Sequence, residues 1–241
     1  MGVFAGPNCI DDGLVLSLDS GNNKSWIGSG TTWFDITNNN DAPLYSGGTT
    51  ISEYADPLAG TVFNLDDTNQ LFQVQFSEDI NEYTWSIIYW IKYKGTPSAN
   101  YQQIWQLRAE VSNNSGYYFN CDSRQTATPH IHQYVKDIAL SSWDTRTTVS
   151  TADWVGSDRW FCCGLSMHAE NDWRSYREGK LIGSNTVPSQ DISGISNINE
   201  LRIGDPDSPG AYMGNVMFYN RALSAEEMNQ NFQGLRARYG L

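Results

Sequence analysis

From Tyr212 the chain reads Tyr-Met-Gly-Asn-Val-Met-Phe-Tyr. Val216 and Phe218 fall on one phase of a strand's pleat, and Met217 and Tyr219 fall on the other. Apolar residues at both phases require a strand covered on both faces. A helix start follows directly: Ser224 as N-cap with Glu227 three residues on forms a capping box, and Leu223 is placed to pack on Met228. Met228, Phe232, Leu235 and Tyr239 then recur at spacings of four, three and four, so one apolar stripe is predicted to dock on the body of the protein. A central strand running straight into a docked helix restricts the chain to architectures built on a sheet.

The remaining segments read as short strands between turns. Leu14, Leu16 and Leu18 alternate inward along a first strand that Ser20-Gly21-Asn22 breaks. Residues 42–60, rich in Pro, Gly, Ser and Thr, read as a long surface connection. Residues 60–65 and 70–74, with a turn at Asp66-Asp67-Thr68-Asn69 between them, read as a hairpin. In residues 83–94, Trp85, Ile87, Tyr89 and Ile91 share one face and Ile88 and Trp90 the other, a second strand covered on both sides. Residues 102–108, 116–121 and 130–135 are further strands. Strands at such spacing predict an all-β, two-sheet antiparallel sandwich with one C-terminal helix. A sandwich of this kind accommodates the whole of residues 13–241 as one domain, with residues 1–12 as an N-terminal arm.

Three stretches carry a family resemblance. The first is Leu-x-Leu-Asp-x-Gly-Asn from Leu16, continuing through Gly28-Ser-Gly-Thr-Thr-Trp-Phe-Asp35. The second is the tryptophan-led segment from Trp160, an acidic turn, and a strand from Trp173 that closes on Glu178-Gly179 where the pattern has Asn-Gly. The third is Tyr219-Asn220-Arg221-Ala222-Leu223-Ser224 with its helix cap. Together they resemble the concanavalin A-like, laminin G-type jelly-roll domains of tailed-bacteriophage virion proteins. Only residues 95–160 lie outside the likeness. The resemblance implies a virion protein that acts as a decoration, adaptor or fibre component, with other virion proteins as partners. It also raises a structural calcium, for which Asp19 and Asp205 are the candidate ligands. No other cofactor is expected.

Charge and motifs narrow the chemistry. The net charge of −12 opposes a phosphate backbone, so nucleic acid is not expected as a partner. The sequence has no run of eighteen apolar residues and no basic flank before an apolar core at its start, so neither membrane insertion nor a secretory leader is expected. Cys9, Cys121, Cys162 and Cys163 lack zinc-site spacing; Cys162 and Cys163, adjacent in a strand, should point to opposite faces as small buried hydrophobes.

Glucanases of the superfamily place paired carboxylates on one strand as Glu-x-Asp-x-x-Glu, and no such stretch occurs. The acidic groups at Glu78-Asp79 and Asp205–Asp207 read as turns. The expectation is a protein without catalysis. Sugars are held by exposed aromatics and planar polar groups, which makes His130, His132, Trp143 and Trp173 the candidate glycan contacts. Alternative readings are a carbohydrate-binding module for host surface polysaccharide and a degenerate glycan hydrolase. Val3, Phe4 and Ile10 are candidate assembly contacts of the arm, and a symmetric virion favours a homo-oligomer.

Overall fold

The computed structural model describes residues 7–45, 51–65, 71–81, 83–94, 102–109, 117–124, 130–137, 142–150, 157–169, 172–185, 198–204 and 210–241. In chain order the first strands are β1 (Leu14–Asp19), β2 (Thr32–Trp33), β3 (Ala42–Pro43), β4 (Glu53–Asp56), β5 (Gly60–Asn64), β6 (Phe72–Ile80), β7 (Trp85–Tyr93) and β8 (Gln102–Ala109). There follow β9 (Tyr117–Arg124), β10 (His130–Asp137), β11 (Ser142–Ser150), β12 (Trp160–Ala169), β13 (Asp172–Arg177) and β14 (Lys180–Asn185). Then come β15 (Ile198–Ile203), β16 (Ala211–Tyr219) and the helix α1 (Ala225–Leu235).

They form a mostly antiparallel jelly-roll sandwich. An eight-stranded sheet runs β14-β13-β12-β7-β16-β5-β4 with β1 also on β16, and a six-stranded sheet runs β11-β10-β9-β8-β15-β6. The last strand is the hub: one edge of β16 pairs with β7 along its length, while the other is shared by β1 and β5. Its two phases bury as its sequence requires. Val216 and Phe218 join the core between the sheets with Trp85, Ile87, Tyr89 and Ile91. Met217 and Tyr219 join a second core with Ile88, Trp90, Met228, Phe232 and Tyr239, under the helix. Cys163 belongs to the first core and Cys162 to the second, both as free thiols.

The capping box is formed: Glu227 N–H donates to Ser224 Oγ at 3.2 Å and Ser224 N–H donates to Glu227 Oε2 at 2.8 Å. The helix stops at Leu235, earlier than the apolar stripe suggests, and Tyr239 lies in the turn beyond it. Tyr239 is nonetheless buried, stacked on Trp90 with centroids 4.2 Å apart. Gly214 makes room for it, since a Cβ there would sit 2.7 Å from the Tyr239 hydroxyl. Glu178 and Gly179, both at positive φ, close the β13–β14 hairpin as a tight turn, so a Glu serves where Asn is commoner.

Several sequence expectations are corrected. Residues 60–65 and 70–74 are no hairpin, because β5 and β6 belong to different sheets and the chain crosses between them; β5 instead pairs back on β4, inside the stretch read as a surface connection. Leu14 leaves the phase of Leu16 and Leu18, since a register shift turns it to the core under the helix. Glu78 and Asp79 belong to strand β6 rather than a turn. Ile10 is fastened to its own chain: its N–H donates to Asn231 Oδ1 at 2.8 Å and its carbonyl accepts from Tyr219 Oη at 2.9 Å. It packs against the core under the helix and so is no free assembly contact, whereas Val3 and Phe4 lie outside the described residues.

Buried hydroxyls lock the entry to the helix. Leu223 N–H donates to Ser86 Oγ at 2.9 Å and to Ser166 Oγ at 3.0 Å, and Ser166 Oγ lies 3.0 Å from His168 Nε2. Burial, and then the nearby Arg174 guanidinium, hold the His168 pKa below the ordinary histidine value. As pH falls through ~6.5 the unfolded chain takes up this proton first. Stability present above that pH is therefore lost as pH drops through the folded value. The fall in melting temperature between about pH 7 and about pH 5 is expected to be shallower in His168→Gln than in wild type, and parallel pH profiles would show that His168 does not contribute.

Candidate functional site

The eight-stranded sheet carries the helix, so the outer face of the six-stranded sheet is where a broad functional surface has to be sought. Strict alternation builds that surface. Val74, Leu201, Leu107 and Phe119 are register partners in a row across β6, β15, β8 and β9, and all are buried between the sheets. The flanking rows therefore take the opposite phase. One runs Gln73, Arg202, Gln106, Asn120; the other runs Gln75, Glu200, Arg108.

The β6–β15–β8 end of this face is an ordered polar network. Gln73 Nε2 donates to Glu200 Oε2 at 2.7 Å, Arg202 Nε donates to Glu200 Oε1, and Arg108 Nη1 lies 3.6 Å from the same oxygen. Gln106 Nε2 donates to Gln103 Oε1. Arg202 also lies over the half-exposed ring of Tyr45, 4.5 Å from its centroid, which puts an aromatic at the rim. Toward β9 the polar side chains sink from view, with Asn120 and Asp122 fully buried. Planar amides and guanidinium groups held in fixed positions suit hydroxyl-rich ligands, because ordering them costs little at the moment of binding.

Register places three of the candidate glycan contacts on this sheet. His132 is paired with Asp122, His130 with Arg124, and Trp143 with Lys136. Trp173 is a correction. It is buried on β13 in the other sheet, with its ring 5.3 Å from Phe119 and 6.1 Å from Trp85, so it fills the core and meets no ligand. The residues that sequence reasoning missed are Gln73, Gln103, Gln106, Arg108, Glu200, Arg202 and Tyr45. Each strand contributes at most three of them, and no local motif marks them; the available signal was the polar phase of 72–76 and 198–203 opposite an apolar one.

The calcium candidates also change. Arg238 Nη1 donates to both oxygens of Asp19, at 2.7 and 2.6 Å, and Gly21 N–H donates to Asp19 Oδ1 at 3.1 Å. A guanidinium already holds the carboxylate, so Asp19 is an ion-pair anchor for the chain end, not a metal ligand. Asp205 lies outside the described residues. Among the described residues no group of His, Cys, Asp and Glu is arranged to hold a metal, and no helix is long and apolar enough to cross a membrane.

A family model described as the concanavalin A-like lectin/glucanases superfamily, of laminin G type, matches residues 66–229. The chain belongs to this superfamily. Among curated proteins no sequence matches. Among solved structures, the binding domain of botulinum neurotoxin serotype D is similar at TM-score 0.68 and 16% identity, over 93% of this chain and 51% of that one. The receptor binding domain of botulinum neurotoxin D is similar at TM-score 0.67 and 16% identity, over 92% and 53%. The serotype D ligand binding domain in complex with N-acetylneuraminic acid is similar at TM-score 0.67 and 16% identity, over 93% and 52%. The concanavalin A-like chain thus spans about half the length of these structures, and at such identity the likeness shows the fold.

Proposed function

We propose that the protein is a non-catalytic component of a tailed-bacteriophage virion whose jelly roll binds host-surface glycan through the outer face of the six-stranded sheet. The observation that carries this reading is the fixed polar network of Gln73, Arg108, Glu200 and Arg202 with Tyr45 at its rim. The fold supports it, being shared with a domain solved in complex with N-acetylneuraminic acid. The carboxylate at the centre of the face supports binding over hydrolysis there: Glu200 Oε2 accepts from Gln73 of β6 and Oε1 from Arg202 of its own strand, whereas a glycosidase needs carboxyl groups free to exchange protons or attack the sugar. The virion assignment rests on the resemblance of the Tyr219–Ser224 run and its helix to phage jelly rolls, and it brings other virion proteins and further copies of the chain as partners.

The test is an array of bacterial surface polysaccharides. Wild-type protein is expected to bind at least one, and the Gln73→Ala, Arg202→Ala variant to bind it at least about tenfold more weakly, the equivalent of one charged hydrogen bond. Equal binding by the variant would remove the face from the account. Release of reducing ends from a bound polysaccharide would contradict the non-catalytic assignment.

A further inference from the structure

Strand β6 lies at the edge of the six-stranded sheet and does not run flat to its end. Gln75 pairs with Glu200 and Ile80 with Ile198, so β6 carries more residues than β15 between these two points and bulges at 76–79. Bulges of this kind re-aim side chains and occur beside binding sites. Against the bulge stands a rigid loop. The Asp35 carboxylate accepts from Ser17, Thr37, Asn39 and Asn40 N–H and from the Thr37 hydroxyl, and Asn40 ties the loop to both strands, accepting from Ser77 N–H and donating to Val15 O, each at 2.8 Å.

Between loop and bulge lies a cleft of about 170 Å3. Val15, Phe76 and Ile80 give it an apolar floor, and Asn39, Ser77, Glu78, Asp79 and Asn220 a polar rim. The Ser77 hydroxyl, both carboxylates and the Asn220 amide have no hydrogen-bond or ion-pair partner among the described residues. From the structure we infer that this cleft is a subsite for a single neutral pyranose ring, the terminal residue of a glycan whose chain lies along Gln73 and Gln75. An apolar floor suits the C–H face of a sugar ring, and acceptor-rich rim groups suit its hydroxyls. The cleft is smaller than the ~300–1,000 Å3 of drug-sized pockets, so it takes one ring and not a chain. Glu78 and Asp79, with no cation among the described lining residues, disfavour an anionic sugar.

This inference rests on the glycan-binding reading, and the experiment separates the two. Methyl glycosides of glucose, galactose, mannose and N-acetylglucosamine, and N-acetylneuraminic acid, are titrated into labelled protein while amide shifts are followed. At least one neutral glycoside is expected to move the signals of Asn39, Asn40 and residues 77–80, and N-acetylneuraminic acid none of them. The Glu78→Ala, Asp79→Ala variant, altered only at exposed positions, is expected to bind that glycoside at least about tenfold more weakly. Array binding that depends on Arg202 while every glycoside leaves these signals unmoved overturns the subsite and leaves the sheet-face reading standing. Equal affinity of the variant also overturns it, and absence of all glycan binding overturns both.

Discussion

Chain truncated after Asn220 is expected to be insoluble or molten. Truncation strips the cover from Ile88, Trp90, Cys162, Met217 and Tyr219, which form one buried cluster with Met228, Phe232 and Tyr239. Burial of each such side chain contributes ~1.5–3 kcal/mol, against a total stability of ~5–15 kcal/mol, so loss of the helix face alone approaches the whole. Truncation also leaves Asp19 without Arg238, and Ser86 and Ser166 without Leu223. A graded version is Tyr239→Ala. It removes a ring stacked on Trp90 and packed 4.9 Å from Trp160, and a loss of about 3–5 kcal/mol is expected by urea denaturation, as for other large-to-small core changes. A truncated protein that melts cooperatively at the wild-type temperature would show that the helix is an appendage.

Asp35→Ala is expected to cost at least about 3 kcal/mol, a large effect for one loop residue. Asp35 is 2% exposed, and its carboxylate is the common acceptor of the loop that leads from β2 to β3. Alanine leaves those donors without a partner in a site with little water. Because the same loop walls the cleft beside β6, the variant is also expected to lose the amide-shift response of residues 77–80 to neutral glycosides. Asp35→Asn keeps the shape and one acceptor oxygen and should fall between the two. A variant within about 1 kcal/mol of wild type would mean that the loop holds itself together without the carboxylate.

How much of this was legible in the sequence depends on whether the controlling interaction was local. The two-faced pattern of β16, the capping box at Ser224 and the opposed cysteines at 162 and 163 are set within a few residues of chain, and each is found where its pattern places it. Leu14 was misplaced because a register shift in β1 breaks the alternation, and nothing in Leu-Val-Leu announces it. Sequence proximity made 60–65 and 70–74 look like a hairpin, whereas in a sandwich neighbouring strands often serve opposite sheets. Trp173 carries the signature of an aromatic contact and of a core residue alike; only its contacts with Trp85 and Phe119 decide between them. The polar face was the least visible feature. Gln73, Arg108, Glu200 and Arg202 are scattered over three strands and are joined only by register. Asp19 failed as a calcium ligand for a related reason, since Arg238 reaches it from the far end of the chain.

The glycan-binding face is tested most directly by hydrogen–deuterium exchange of the protein with and without a polysaccharide that it binds on the array. The account predicts slowed exchange in peptides covering 72–80, 102–109 and 198–203, with the strands of the eight-stranded sheet and the helix unchanged. Protection confined to the helix or to the β12–β14 strands, with 72–80 and 198–203 exchanging as in the free protein, would contradict it.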